Sequence, residues 1–211
     1  MIEKNNEMEA KLDNVSKEIR HFWDIAKIEI SNLLASFNIN QFRRAIDLIF
    51  ECKTRGKMVH IMGIGKPNYV AQYAAAIFSS TGTPATFLSA SEVPHGSAGQ
   101  VRNGDVVIAI SNSGQTRELL TAVDIIKKRG VHIIGISKNS TAQLAKKSDV
   151  FISAKVKNEG DILNLPPRTS VVAEILAVAS LSVGLQTKNG LTLKEYRELH
   201  NSGSIGKSLG V

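Results

Sequence analysis

Aromatic residues are scarce, 5% of the chain, so the 43% hydrophobic content must come mainly from Ala, Val, Ile and Leu. Cores of that texture are typical of layered α/β proteins, in which helices cover a buried sheet. Cysteine is limited to Cys52, which excludes a disulfide framework within one chain and makes a reducing compartment the natural setting. Long apolar runs are missing as well. The most apolar stretch, Val171 to Leu185, contains Glu174 and is shorter than the roughly 20 residues a bilayer requires. The N-terminus, Met1-Ile2-Glu3-Lys4-Asn5-Asn6, has no apolar segment, so no signal peptide is expected. A soluble, cytoplasmic protein with no membrane partner is expected.

Tight clusters of positive charge are also lacking, although the net charge is +7. Lys and Arg are scattered from Lys4 to Lys207, and the one close group, Lys127-Lys128-Arg129, falls where a helix end favours cations. With few aromatics to stack bases, nucleic acid is not an expected partner. The histidines His21, His60, His95, His132 and His200 show no ligand spacing, so neither a metal nor another cofactor is expected. His60 and His132 fall within strand candidates and read as core or sheet-facing residues, and Cys52 as a small buried hydrophobe in a helix.

The periodicity divides the chain of 211 residues into helices first and alternating elements afterwards. Apolar positions Met8, Leu12, Val15, Ile19, Phe22, Trp23, Ala26 and Ile30 recur at three and four, predicting a long helix over 7–36, and a second helix covers 40–55 before Gly56. From Lys57 onward come short β-branched runs at 58–62, 85–88, 106–110, 132–136 and 150–152, with helices at 68–80, 117–129 and 141–147 between most of them. Helices at 169–186 and 192–199 follow, leading into a Gly-rich tail at 201–211. The expected fold is therefore a three-layer α/β sandwich with a five-stranded parallel sheet joined by right-handed crossovers. Residues 1–56 are expected to pack on the domain formed by 57–211, or to build an oligomer interface.

Two strand ends break into small polar turns at the edge where such sheets bind ligands. Gly63-Ile64-Gly65-Lys66 lacks the third glycine of a dinucleotide fingerprint and the spacing of a P-loop, so it reads as a tight turn that projects Lys66. Ile110-Ser111-Asn112-Ser113-Gly114-Gln115-Thr116 places three hydroxyls before a helix opening near Arg117. Backbone N-H groups, side-chain donors and the helix dipole there favour a phosphate. Ordinary N-capping by Ser113 or Thr116 would explain only one of those hydroxyls.

Five segments together resemble the SIS domain of the arabinose-5-phosphate isomerases, from Met62 to about Leu209. They are Met62-Gly63-Ile64-Gly65-Lys66, Ser80-Thr81-Gly82-Thr83-Pro84, Glu92-Val93-Pro94-His95-Gly96, Asp105 through Gly114, and the tail around His200. The resemblance implies that Lys66, Glu118, Glu159 and His200 are catalytic and that His95 lines the pocket. It further implies that Gly65, Ser111, Asn112, Ser113 and Thr116, with Thr169 and Ser170, hold a phosphorylated sugar. Isomerisation asks independently for these residue types. A base near the carbon, a group that moves hydroxyl protons and a positive charge at the developing enediolate are all needed. Glu159 is expected to take and return the carbon-bound proton, His200 to assist ring opening or oxygen proton transfer, Lys66 to stabilise negative charge, and Glu118 to orient or share the base. Taken singly, each has a plainer role: Glu118 complements a helix N-terminus, Glu159 sits in a polar loop, and His200 is a helix-end cation.

Pro67, Gln115, Arg168 and Asn201-Ser202 depart from the family pattern. Arg168 in particular could grip a phosphate or carboxylate. With the chain ending at Val211 and no paired CBS modules following, nucleotide-type regulation is not expected. The readings carried forward are an aldose-ketose isomerase of a pentose or hexose phosphate, a related enzyme such as a 6-phospho-3-hexulose isomerase, and a non-catalytic phosphosugar sensor. A homo-oligomer, dimer or tetramer, is expected from the apolar face of the first helix, with His200 serving a neighbour's site.

Overall fold

The computed structural model describes residues 2–200, with side chains from residue 12 onward; the side chain of Met8 and the tail 201–211, including Asn201-Ser202, lie outside what is described. Helices α1 (Ile2–Ser36) and α2 (Ile39–Thr54) precede strand β1 (Val59–Gly63). Then follow α3 (Lys66–Ser80), β2 (Ala85–Phe87), β3 (Val106–Ile110), α4 (Arg117–Lys127), β4 (His132–Ser137), α5 (Gln143–Lys147), β5 (Val150–Ser153), α6 (Thr169–Asn189) and α7 (Leu193–Leu199). All pairings are parallel, in the order β2-β1-β3-β4-β5, with Val59 opposite Val106 and Gly63 opposite Ile110.

The strands are apolar throughout because both faces are covered. Val59, Ile61, Val106, Ile108 and Ile110 face one core with α2, α3 and α6, whereas Met62, Val107, Ala109 and Ile133 face the other with α4. Strand side chains alternate between faces, so unbroken hydrophobic runs can serve two layers at once. α2 belongs to this packing: the Asn38 side chain accepts the Asn40 N-H to start it, and Phe42, Ala45, Ile49 and Cys52 recur at helical spacing into the first core. α6, among the described residues, is the one helix long and apolar enough to cross a membrane. Ala173, Ala177, Val178, Leu181 and Leu185 bury its apolar face in that same core.

Several boundaries differ from expectation for local reasons. α3 begins at Lys66, not 68, because Pro67 in a first turn has no N-H to lose and a φ suited to a helix. Two 3-10 turns, Val93–His95 and Ser97–Gln100, follow β2 around Pro94 and Gly96, whose φ of 114° only glycine adopts readily. His60 is buried against Asp105, while His132, at the very start of β4, is exposed and not part of the core. Among its described side chains α1 docks through Phe22 and the turns after it, with Glu29 and Leu33 buried and Phe22, Ala26 and Ile30 half-buried. Other apolar residues of α1 are open to solvent, Leu12 at 61% and Trp23 at 62%.

Candidate functional site

From β1 the chain steps outward to β2 and then returns to the other flank of β1 with β3, so the loops leaving β1 and β3 diverge and open a crevice at the carboxyl edge. Both predicted polar turns border it. Gly63 is forced by close approach, since a Cβ there would lie 2.6 Å from the Pro67 backbone. Gly65, with φ of 70°, is the N-cap of α3, which starts without a side-chain cap and leaves Lys66 exposed in its first turn. A depression of about 540 Å³ beside Lys66 is lined by Ile64, Asn68, Tyr69, Phe87, Ser89 and Ser91; it does not reach Ser111 or Glu159.

The turn after β3 spends part of its polarity on itself. Ser111 and Thr116 hydroxyls pair at 3.0 Å, Ser111 Oγ also accepts the Gly114 N-H, and Ser113 Oγ accepts the Gln115 N-H. Thr116 is the N-cap of α4, yet its side chain does not cap, so the first N-H groups of α4 have no intrahelical acceptor. Asn112 Oδ1 is buried with no partner. Ser113 and Gln115 are exposed, and the mouth of the turn is open. Glu118 stands exposed in the first turn of α4, and His95 is exposed on a 3-10 turn that packs against α4.

Glu159 occupies the loop from β5 to α6 and is the buried acid of the predicted set. Its Oε2 accepts the Arg168 N-H at 2.7 Å, the Ser170 N-H at 3.1 Å and the Thr169 hydroxyl at 3.4 Å, so this carboxylate caps α6 from outside the helix. The Arg168 guanidinium pairs with Asp161, and the Thr169 hydroxyl also donates to the Asn158 carbonyl. Thr169 and Ser170 are consequently buried and engaged with Glu159. α1 braces the same loop: Glu29 accepts the Lys157 N-H at 2.8 Å and the Asn158 amide at 2.7 Å, and a Cβ on Gly160 would strike the Phe22 ring.

His200 lies apart. Its ring packs on Tyr196 and its Nδ1 meets the Tyr196 carbonyl at 2.9 Å. The adjacent Leu199 lines a depression with Met58, Pro84, Ala85 and Thr86, at the amino edge of β1 and β2. Lys66, Glu118 and the turn after β3 thus share one edge of the sheet, while His200 of the same chain sits at the opposite edge. Among the described residues no group of three or more His, Cys, Asp or Glu is placed to hold a metal.

Sequence reasoning missed one residue. Glu174 on α6 is fully buried with neither carboxyl oxygen partnered, and burial together with the nearby Glu159 charge pushes its carboxyl up to about 8. An acid inside the most apolar segment of the chain was the available signal.

A model of the SIS domain matches residues 54–183. The chain is 37% identical over 172 residues to the arabinose 5-phosphate isomerase KdsD of Escherichia coli K12, covering 81% of this chain and 52% of that protein. It is 36% identical over 168 residues to the KdsD of Yersinia pestis, covering 80% and 50%. The chain therefore spans about half the length of the curated relatives it matches. Among solved structures, E. coli CFT073 c3406 in complex with arabinose 5-phosphate superposes with a TM-score of 0.80 at 32% identity, covering 87% of this chain and 96% of that one. A structure of a sugar-phosphate isomerase candidate from Listeria monocytogenes gives 0.83 at 26% identity, covering 89% and 97%.

Proposed function

The chain belongs to the SIS domain family, and on that premise we propose that it interconverts the aldose and ketose forms of a phosphorylated sugar, with arabinose 5-phosphate and ribulose 5-phosphate as the first pair to test. The observation that carries this reading is the carboxyl edge of the paired strands β1 and β3, which the uncapped start of α4, the turn 111–116 and Lys66 share. A phosphate seated on those N-H groups would fix one end of an open-chain sugar.

In this reading Glu159 takes the proton from C2 of the aldose through Oε1, because Oε2 is held by Arg168 and Ser170. The enediolate oxygen gathers negative charge, which Lys66 offsets, and the same proton returns to C1 to give the ketose. The hydroxyl proton moves from O2 to O1 with His200 as carrier, and Glu118 orients the sugar or shares the base. Arg168 tunes the loop through Asp161 and can reach substrate once that pair opens. No cofactor takes part.

The distance of His200 from the crevice supports a site shared between subunits of a homo-oligomer, dimer or tetramer, with the exposed apolar stripe of α1 in the interface. Residues 57–211 form the SIS domain in this scheme and 1–56 its packing and assembly helices. The lone Cys52 fits a cytoplasmic setting. A coupled assay on a panel of C5 and C6 sugar phosphates tests the activity. Lys66→Ala and Glu159→Gln are expected to abolish turnover, and mixing Lys66→Ala with His200→Ala subunits to restore part of it. Ligand-induced thermal stabilisation with no turnover of any sugar phosphate would instead identify a phosphosugar sensor.

A further inference from the structure

Glu174 is, among the described residues, the carboxyl with both oxygens buried and unpartnered. It follows Ser170 by four residues on α6, so the two share a helix face one turn apart. Ser170 donates its backbone N-H to Glu159, and its own buried hydroxyl also lacks a partner. A single turn of helix therefore carries a bound carboxylate at its mouth and a second, unbound carboxyl just below it. Glu159 accepts two backbone N-H groups, but nothing comparable reaches Glu174.

The surrounding elements do not supply a counter-charge. α2 and α3 turn Ala45, Ile49, Ala71 and Ala74 into the core they share with α6, and β4 contributes Ile134 and Ile136. From α1 the buried charged group is Glu29, already engaged with Lys157 and Asn158, and Lys66 at the start of α3 is exposed. Two neighbouring buried carboxyls without a cation cannot both ionise cheaply, and the one lacking hydrogen bonds keeps the proton. An apolar side chain would fill this core position at no such cost, so the acid is out of place as a purely structural residue.

We propose that Glu174 is the proton-holding partner of Glu159, a positioning residue that while protonated holds the neighbouring carboxylate in place, so that loss of its proton disables the site. The proposal deepens the isomerase reading and rests on Glu159 being the base. It needs no group transfer beyond release of one proton to solvent as pH rises.

Melting temperatures of the full chain from about pH 6 to about pH 9 test the pairing without reference to activity. Folded Glu174 keeps its proton until about 8, whereas the unfolded residue releases it near 4.5, so the wild-type melting temperature is expected to fall as pH rises and to level off above about pH 8. Glu174→Gln, and Glu174→Leu as a second variant, should flatten the decline. Glu159→Gln removes the like charge, so Glu174 should lose its proton earlier and the decline should level off at a lower pH. Equal slopes in wild type and both Glu174 variants would overturn the proposal, as would a Glu159→Gln curve identical to wild type. For kcat/KM on arabinose 5-phosphate, the wild type should lose about tenfold per pH unit on its alkaline limb, and Glu174→Gln should lack that limb. A residue that merely fills space would lower activity by one factor at every pH. If the chain turns over no sugar phosphate, the isomerase reading fails while the melting series still decides the pairing.

Discussion

Replacing Gly114 with alanine isolates what the turn after β3 requires. Gly114 has φ of 65°, and a Cβ there would meet Ala142 Cβ at 2.7 Å and Ser137 Oγ at 2.9 Å. Both neighbours are fully buried, and a methyl has no flexible end to swing aside. The left-handed backbone costs an alanine about 1–2 kcal/mol, and overpacking adds about 1–3 kcal/mol. The Gly114 N-H donates to Ser111 and its carbonyl accepts the Leu144 N-H, so relief by a backbone shift would break bonds that hold the turn to α5. Gly56→Ala is the control, with φ of 66° but nothing within 4 Å of the new Cβ, so that it carries the backbone cost alone. Urea unfolding at unchanged m-value should place Gly114→Ala about 1–3 kcal/mol below Gly56→Ala. Equal losses in the two variants would refute the close packing behind the turn.

Glu29→Ala removes the acceptor for the Lys157 N-H and the Asn158 amide, and should cost about 1–3 kcal/mol in urea unfolding while lowering kcat more than it raises KM, because the loop it frees carries Glu159. Burial pushes the Asp105 carboxyl up, but the Met58 and Arg102 N-H groups and His60 outweigh it and hold it below the usual range. Its contribution is thus present above about pH 4 and lost as pH falls through the folded value, and Asp105→Asn should be less stable at neutral pH with a shallower acid decline by thermal melting.

Strands were the most legible part of the fold, because doubly covered parallel strands write themselves as continuous apolar runs, as at 106–110. The turn at 111–116 was legible as a cluster of small polar residues, but its internal economy was not: the Ser111 to Thr116 pairing depends on a backbone path that no spacing rule encodes. The 3-10 turns at 93–100 carry no hydrophobic period at all. Glu159 read as an acid in a polar loop, and its role as an external cap for α6 came only from the fold, since it lies nine positions before Arg168. Glu174 was visible as an acid in an apolar helix, yet sequence could not say which face it occupied or that Glu159 lay beside that face.

Chain direction explains why His200 stands at the opposite edge of the sheet from Lys66 in the same chain. α6 begins beside Glu159, near the carboxyl edge of the sheet, and its 21 residues carry the chain about 30 Å back across the layer. Asn189, at its end, donates to Thr83 just before β2, which fixes the arrival point at the amino edge. α7 is only seven residues long, or about 10 Å, and Leu199 at its end still lines one depression with Met58 and Ala85. Returning His200 to Lys66 in the same subunit would require undocking α7 from that edge. In the proposed homo-oligomer a second copy that presents its own amino edge to the crevice would need no such rearrangement, and the exposed apolar residues from Leu12 to Trp23 would give that copy a surface to hold.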